Sequence, residues 1–166
     1  MHYKLIKFGV KKFSKSGDEN MLEFLDEIKG NVIIRVLTTG EDIYEAIKSA
    51  AEEHNINAAV FNMIGAVSKA VIGYFDMKKK EYLKNIFEKD MEIVSCMGNI
   101  ARKEDGSIVV HAHIAIADEK GHVYGGHLFP GTLAGATGEL FILPLKKKII
   151  RKIDEKTSLF LIKDQK

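Results

Sequence analysis

The sequence is poor in the residues and segments that mark secreted and membrane-embedded proteins. Its 166 residues include one cysteine, Cys96, so no disulfide can form within the chain, which is typical of a reducing compartment. No apolar run reaches the roughly 18 residues that a membrane-spanning helix requires. Residues 1–7 are too interrupted by charge for a signal peptide. We therefore expect a cytoplasmic protein without a membrane partner.

The chain also has little excess of either sign of charge. The formal net charge is +2 and the pI is about 8.5, which does not by itself require a nucleic-acid partner. Basic residues cluster at residues 78–80, 146–148 and 151–152. Lysine runs of this kind are typical of solvated loops and strand edges. A phosphate-binding surface is the alternative interpretation.

Length and composition instead indicate an ordinary globular domain. Hydrophobic residues make up 46% of the chain and charged residues 29%. A chain of this size can bury enough apolar surface to form a core of its own. Because the sequence contains no internal repeat and no low-complexity linker, we predict a single domain over residues 1–166.

The first half of the sequence alternates strand and helix patterns. Residues 3–8 predict a strand, and the capping-box spacing at residues 16–19 predicts a short amphipathic helix after it. Residues 32–37 are apolar and β-branched, which predicts a strand buried on both faces. A second helix follows, with Thr38 as its predicted N-cap and an end near His54. Its apolar stripe consists of Ile43, Ala46, Ile47, Ala50 and Ala51.

The rest of the sequence predicts strands and turns. Gly65 is predicted to break or bend one strand before another begins at Val67, and residues 130–136 predict an irregular glycine-rich loop. Together these patterns predict an α/β fold of the α+β kind, with a mixed, mainly antiparallel sheet and one or two packed helices. The predicted strands are residues 58–64, 67–75, 82–87, 91–97, 108–117, 122–128, 138–143, 149–153 and 158–162.

Three histidines form the most informative pattern in the chain. His111 and His113 are two residues apart on a predicted strand, so their side chains point to the same face. The predicted hairpin then returns His127 beside them. Three imidazoles with an open fourth position are typical of a catalytic site for zinc or a similar divalent metal. The alternative is that these histidines only pack or form hydrogen bonds within the sheet.

Strand parity sets a condition on this metal site. A regular four-residue loop at residues 118–121 pairs Ala117 with His122, which places His127 on the face opposite His111 and His113. One extra residue in a β-bulge restores convergence. The metal hypothesis therefore requires an irregularity just before His127, and the two glycines at residues 125–126 are a natural place for it.

Other polar residues are weaker candidates. Glu139, on the strand after the glycine-rich loop, is a candidate base or fourth ligand, and the alternative is a surface carboxylate. Asn99 either lies at the mouth of the same site or forms a turn. Cys96 lies in an apolar segment and is predicted to be a buried structural thiol. His122 is predicted to be a solvated turn residue.

Several short motifs occur together in this chain: EIVSCMGNIA at residues 92–101, HAH at 111–113, DEKG at 118–121 and GGHL at 125–128, with GEDI at 40–43 and IGAV at 64–67 upstream. In this combination they resemble the PPC family, the "plants and prokaryotes conserved" domain. The similarity extends over residues 31–145, and each motif alone is weak. The histidine pattern is typical of stand-alone prokaryotic members.

The resemblance implies a homotrimer and a link to DNA, because plant members carry the domain beside an AT-hook. This sequence contains two prolines and no Arg-Gly-Arg-Pro core of that hook. The resemblance therefore supports two functions. One is a homotrimeric protein with a histidine metal site that acts on a small polar ligand, with a pocket near residues 131–136. The other is a DNA-binding or regulatory protein, and a scaffold that binds partner proteins is a third possibility.

Overall fold

The computed structural model describes residues 32–163. The strand predicted at residues 3–8 and the helix predicted after residues 16–19 lie outside the described residues. In the described part, one helix packs on a sheet of nine strands. The elements are β1 Ile33–Leu37, α1 Ile43–Glu53, β2 Ala59–Asp76, β3 Glu81–Phe87, β4 Met91–Lys103, β5 Ile108–Ala117, β6 Val123–Leu128, β7 Leu133–Pro144, β8 Ile150–Ile153 and β9 Phe160–Ile162.

The sheet is mainly antiparallel, as the sequence predicts, and it closes on itself. The pairings run from β2 through β4, β5 and β6 and back to β2. β7 lies on the other edge of the first half of β2, and β1 pairs with the outer edge of β7. Among the described strands, β4 and β8 form the parallel pair, and β9 continues the sheet beyond β8.

β2 is the long strand that joins the two halves of the sheet. Its first part pairs with β4 and β7, and its second part pairs with β3 and β6. Of the break or bend predicted at Gly65, the bend is present, because the strand runs through this position as a bulge with φ of +131°. The two strands predicted on either side of Gly65 are therefore one strand. A Cβ atom at Gly65 would meet the carbonyl oxygen of Thr137, so a glycine is required there.

α1 is the predicted second helix, and its five predicted stripe residues are all buried. Its N-cap is Asp42 and not Thr38, because Asp42 Oδ1 accepts hydrogen bonds from the backbone N–H groups of Tyr44 (2.9 Å) and Glu45 (3.1 Å). Thr38 instead donates its backbone N–H to the Glu41 carboxylate at 2.6 Å, one turn before the helix. The capping-box spacing therefore marks the turn that precedes α1.

The core lies between α1 and the inner face of the sheet. Cys96 is fully buried in this core, which confirms the prediction of a structural thiol. Burial raises the pKa of the thiol to about 12. The largest fully buried aliphatic side chains are Leu37, Ile43, Ile47, Met63, Ile100, Ile116, Leu128, Leu140 and Ile142.

β1 differs from its prediction as a strand buried on both faces. Ile34 is 62% exposed and Val36 is 61% exposed, while Leu37 is fully buried. β1 is an edge strand whose outer face is not covered by any element of residues 32–163, because α1 lies on the other side of the sheet. An apolar composition alone does not distinguish a central strand from such an edge strand.

Candidate metal centre

The hairpin of β5 and β6 brings the three histidines onto one face. Ala117 pairs with Val123, so residues 118–122 form the loop, one residue more than predicted. The Asp118 carboxylate orders this loop by accepting hydrogen bonds from the backbone N–H groups of Lys120 (3.0 Å) and His122 (2.9 Å). The pairing then runs without a shift to His113, which lies directly opposite His127.

The condition on strand parity is thus met, but the extra residue is not at the place that the sequence predicted. The extra residue is in the loop, and the glycines at residues 125–126 pair regularly with β5. His122 is that extra residue, and its exposed ring lies 3.2 Å from Asp118 Oδ2. The prediction of a bulge before His127 is wrong, while the convergence that it was meant to explain is present.

His111, His113 and His127 form a compact triangle on the outer face of the sheet. The ring centroids are 5.3 Å apart for His111 and His113, 5.2 Å for His111 and His127, and 5.6 Å for His113 and His127. One nitrogen of each ring lies within 4.8 Å of the other two, so the group could hold a metal ion. Nitrogens around a tetrahedral zinc ion are roughly 3.4 Å apart, so small side-chain rotations would close the triangle.

His127 is held in place by aromatic packing. Its ring centroid lies 4.8 Å from that of Tyr82 and 4.9 Å from that of Phe129. Its Nδ1 atom is buried and has no hydrogen-bond partner among the described residues. Burial, followed by the nearby His111, His113 and Arg151, lowers the pKa of His127 to about 4. A neutral imidazole with an unpartnered buried nitrogen fits a metal ligand.

His111 contacts a guanidinium that comes from the end of the chain. Arg151 Nη2, on β8, lies 3.1 Å from His111 Nδ1. Because a guanidinium N–H only donates, Nδ1 of His111 accepts here, and the proton of the neutral ring is on Nε2. Burial, followed by Arg151 and His113, lowers the pKa of His111. His111 is therefore held as a neutral imidazole as well.

Asn99 lies at the border of the triangle. It is part of β4, directly opposite His111, so it does not form the turn that was one alternative for it. Its Oδ1 atom accepts a hydrogen bond from Arg151 Nη2 at 2.9 Å. Asn99 thus contacts the histidines through Arg151, whose guanidinium it holds against His111.

Glu139 is not brought to the triangle within one chain. It lies on β7, opposite Val36 on one side and Ile64 on the other. β2 separates β7 from β6, and β2 followed by β4 or β6 separates β7 from β5. The metal-ligating group found among the described residues does not include Glu139. In the single chain its neighbours are exposed apolar side chains.

A cleft beside the predicted glycine-rich loop is also separate from the triangle. It has a volume of about 420 Å³ and includes Gly135 and Ala136, from the stretch where a pocket was predicted. Glu92 and Asp118 line its other side, and none of the three histidines lines it. A ligand of the histidine triangle would therefore bind at the outer face of the sheet and not in this cleft.

Arg151 is the residue of this region that the sequence interpretation missed. Residues 151–152 were expected to be solvated, and this is wrong for Arg151, which is 5% exposed. Its neighbour Lys152 is exposed and pairs with Glu104 at 2.6 Å. A signal for its burial was present in the sequence, because Arg151 and Lys152 lie in an apolar strand pattern. Side chains alternate along a strand, so one of these two cations has to point to the buried face.

Comparison with protein families shows which family this chain belongs to. The family described as the Plants and Prokaryotes Conserved (PCC) domain matches residues 26–146. The chain belongs to this family. The abbreviation PPC is also used for it, and the resemblance seen in the sequence is confirmed. The match ends before β8, so Arg151 lies outside the part of the chain that the family describes.

Solved structures with the same fold carry two kinds of description. A metal-containing protein from Archaeoglobus fulgidus is 39% identical with a TM-score of 0.74, covering 81% of this chain and 94% of that chain. A PPC protein from Pyrococcus horikoshii is 33% identical with a TM-score of 0.74, covering 82% and 94%. A candidate DNA-binding protein from Bacteroides thetaiotaomicron is 25% identical with a TM-score of 0.76, covering 81% and 92%.

The curated relatives are much longer proteins. The chain is 31% identical over 107 residues to the bifunctional protein GlmU of a Synechococcus strain, a match over 64% of this chain. It spans 16% of the length of that relative. As for membranes, the helix that the structure describes within residues 32–163 is too short to cross a bilayer.

Proposed function

We propose that this PPC protein binds one divalent metal ion, zinc, through His111, His113 and His127, and acts there on a small polar ligand. The observation that carries the proposal is the convergence of three imidazole nitrogens within 4.8 Å on one sheet face. The description of the Archaeoglobus relative as metal-containing supports it. We further propose that the protein is a single domain that works in the cytoplasm, since its one cysteine is a buried free thiol.

The residues of the triangle would have distinct roles in such a site. When bound, the metal would polarise an oxygen of the ligand or lower the pKa of a bound water. His127 supplies a neutral imidazole whose Nδ1 atom is buried and has no hydrogen-bond partner among the described residues. His113 is exposed and lies where a ligand can approach. Asn99 holds Arg151 beside the site and is its proposed assisting residue.

We propose a homotrimer because a broad outer surface of the sheet is apolar and is left uncovered by the described part of the chain. The apolar face is formed by Ile34, Val36, Val60, Ile64, Val94, Met97 and Phe141, which are 39% to 62% exposed. A contiguous apolar surface of this kind is typical of a contact between proteins. We assign it to copies of the same chain, as the family resemblance implies. Glu139 lies within this face and would reach a metal site only in a neighbouring copy.

The metal content of the purified protein tests the proposal. We expect elemental mass spectrometry to find about one divalent metal per chain in the wild type and almost none in His113→Ala. His122→Ala is the matched control, because His122 is an exposed histidine of the same hairpin outside the triangle. Absence of metal from the wild type after reconstitution with zinc would contradict the proposal, and equal loss in both variants would contradict the assignment of the ligands.

DNA binding is the second candidate function. The Bacteroides relative described as a candidate DNA-binding protein favours it, and the lysines of residues 78–80 and 146–148 are exposed. Binding through these lysines would weaken steeply as salt increases. Fluorescence anisotropy with duplex DNA from about 50 to 200 mM salt tests this. Undetectable binding at the low end would reject this function and leave the metal proposal untouched.

A further inference from the structure

We propose that the metal-loaded triangle takes an anionic oxygen ligand, a carboxylate or a phosphate, and that Arg151 binds the charge of that ligand. The inference rests on the proposed metal site and names the class of ligand that this site accepts. It also assigns a binding role to β8, which lies beyond the residues that the family match covers.

Among the residues that the structure describes, Arg151 is a buried cation without an anionic partner. It is 5% exposed, and its recorded acceptors are the Phe160 carbonyl oxygen (2.8 Å), Asn99 Oδ1 (2.9 Å) and His111 Nδ1 (3.1 Å). Its Nε atom is buried and has no partner among the described residues. No ion pair of residues 32–163 includes Arg151. A buried charge of this kind is costly unless an opposite charge compensates it.

Metal binding would make this imbalance larger. If Nε2 of His111 binds the metal, its proton must move to Nδ1, which then donates and can no longer accept from Arg151. If Nδ1 binds the metal, its lone pair is used there. In both cases Arg151 loses one acceptor while a dication arrives beside it. An anion that reaches both the metal and the guanidinium would restore the hydrogen bond and offset the charge.

The remaining surroundings of the triangle favour an anion as well. The group of metal-ligating side chains that converges here within residues 32–163 consists of three histidines and includes no carboxylate. On the other side of the triangle, Lys84 Nζ lies 4.2 Å above the ring of Phe129, which packs on His127. The site is thus flanked by two cations. A planar carboxylate or a phosphate matches the geometry of a guanidinium, which is the reason for choosing these two anions.

The test uses the full-length protein loaded with Co²⁺, whose visible absorption responds to the ligands of the metal. Acetate and phosphate are titrated separately at constant ionic strength, so that the two anions are distinguished. We expect a saturable spectral change in the wild type and roughly tenfold or greater weakening of anion binding in Arg151→Met, with Co²⁺ still bound. Lys152→Met is the matched control, because it removes an exposed cation of the same strand and should leave anion affinity unchanged.

The outcomes separate this inference from the metal proposal. If Co²⁺ binds but neither anion changes the spectrum, or if Arg151→Met binds anions as the wild type does, the anion inference is wrong and the metal site stands. If Co²⁺ does not bind the wild type, the metal proposal fails first and the inference fails with it. If Arg151→Met does not fold, Arg151→Lys replaces it, because lysine keeps the charge but lacks the paired N–H donors of the guanidinium. Unchanged anion affinity in Arg151→Lys would count against a role of the guanidinium.

Discussion

His113 and His127 face each other directly across the β5–β6 pair, and this relationship depends on the length of the loop between them. Residues 118–122 separate the paired residues Ala117 and Val123. Since side chains alternate along a strand, a loop shorter by one residue would turn His127 to the face opposite His111. Loop length therefore decides whether the three imidazoles meet.

Deletion of Glu119 is expected to abolish metal binding without abolishing the fold. The deletion shortens the loop by one residue and removes only an exposed side chain, whose recorded contact is an ion pair with Lys89 at 3.6 Å. Elemental mass spectrometry and circular dichroism measure the two effects. Glu119→Ala keeps the loop length and is expected to retain the metal. Full metal content in the deletion variant would show that the hairpin restores parity in another way.

Gly98→Ala is expected to destabilise the protein by about 1–3 kcal/mol, as overpacking of a core commonly does. A Cβ atom at Gly98 would lie 2.6 Å from the ring of Phe61 and would also meet the carbonyl oxygen of His111. The β4–β5 pair behind the triangle would have to separate. Urea denaturation measures the change. Gly125→Ala is a graded control, since its Cβ atom would approach backbone no closer than 3.0 Å, and an equal loss in both variants would refute this explanation.

Phe141→Glu is expected to convert the proposed trimer to a monomer. Phe141 is 39% exposed in the middle of the apolar face, between Ile34 of β1 and Asn62 of β2. A carboxylate there would be desolvated in any contact that covers the face. Light scattering after size-exclusion chromatography gives the mass. Val123→Glu is the control, because Val123 is 58% exposed but lies on β6, outside the apolar face, and a trimeric Phe141→Glu would exclude this face as the contact.

Cys96 is expected to make folding stability fall as the pH rises above 9. The pKa of its thiol is raised from 9.0 to about 12 by burial, so between these values the unfolded chain releases a proton that the folded chain keeps. The free energy of unfolding should lose about 1.4 kcal/mol from this group by pH 10. Urea titrations at pH 8 and pH 10 measure the loss. Cys96→Ala should lack this share of the decrease, and equal decreases in both proteins would contradict it.

The elements with strong local signals were predictable from the sequence. The apolar spacing of α1 identified the five buried residues of the helix, because apolar residues at helical spacing lie on one face and that face packs against the core. The start of α1 was misplaced, since Thr38 and Asp42 are both good caps and the contact of Asp42 with Gly131 N at 2.6 Å is not visible locally. Tertiary contacts decided between them.

The histidine triangle was predictable, but its surroundings were not. The spacing of His111 and His113 fixes their common face in any strand. The return of His127 depends on one residue of loop length, which the turn pattern could not specify. Arg151 reaches His111 from 40 positions away in the chain through the pairing of β4 with β8, and no periodicity connects such distant residues. Glu139 failed to join for the same reason, since strand order is a property of the whole sheet.

The position of Arg151 beyond the family boundary bears on how such proteins diverge. The histidines lie within the residues that the family match covers, whereas the guanidinium lies beyond them on the β8–β9 hairpin, which is attached to β4 through the pairs Arg102–Ile150 and Lys103–Arg151. Exchanging that hairpin would leave the framework and its imidazoles in place while replacing the residue beside them. Relatives with equal histidines and unequal tails are therefore expected to differ in which molecules they accept, so a function established for one does not transfer to another until the tails have been compared.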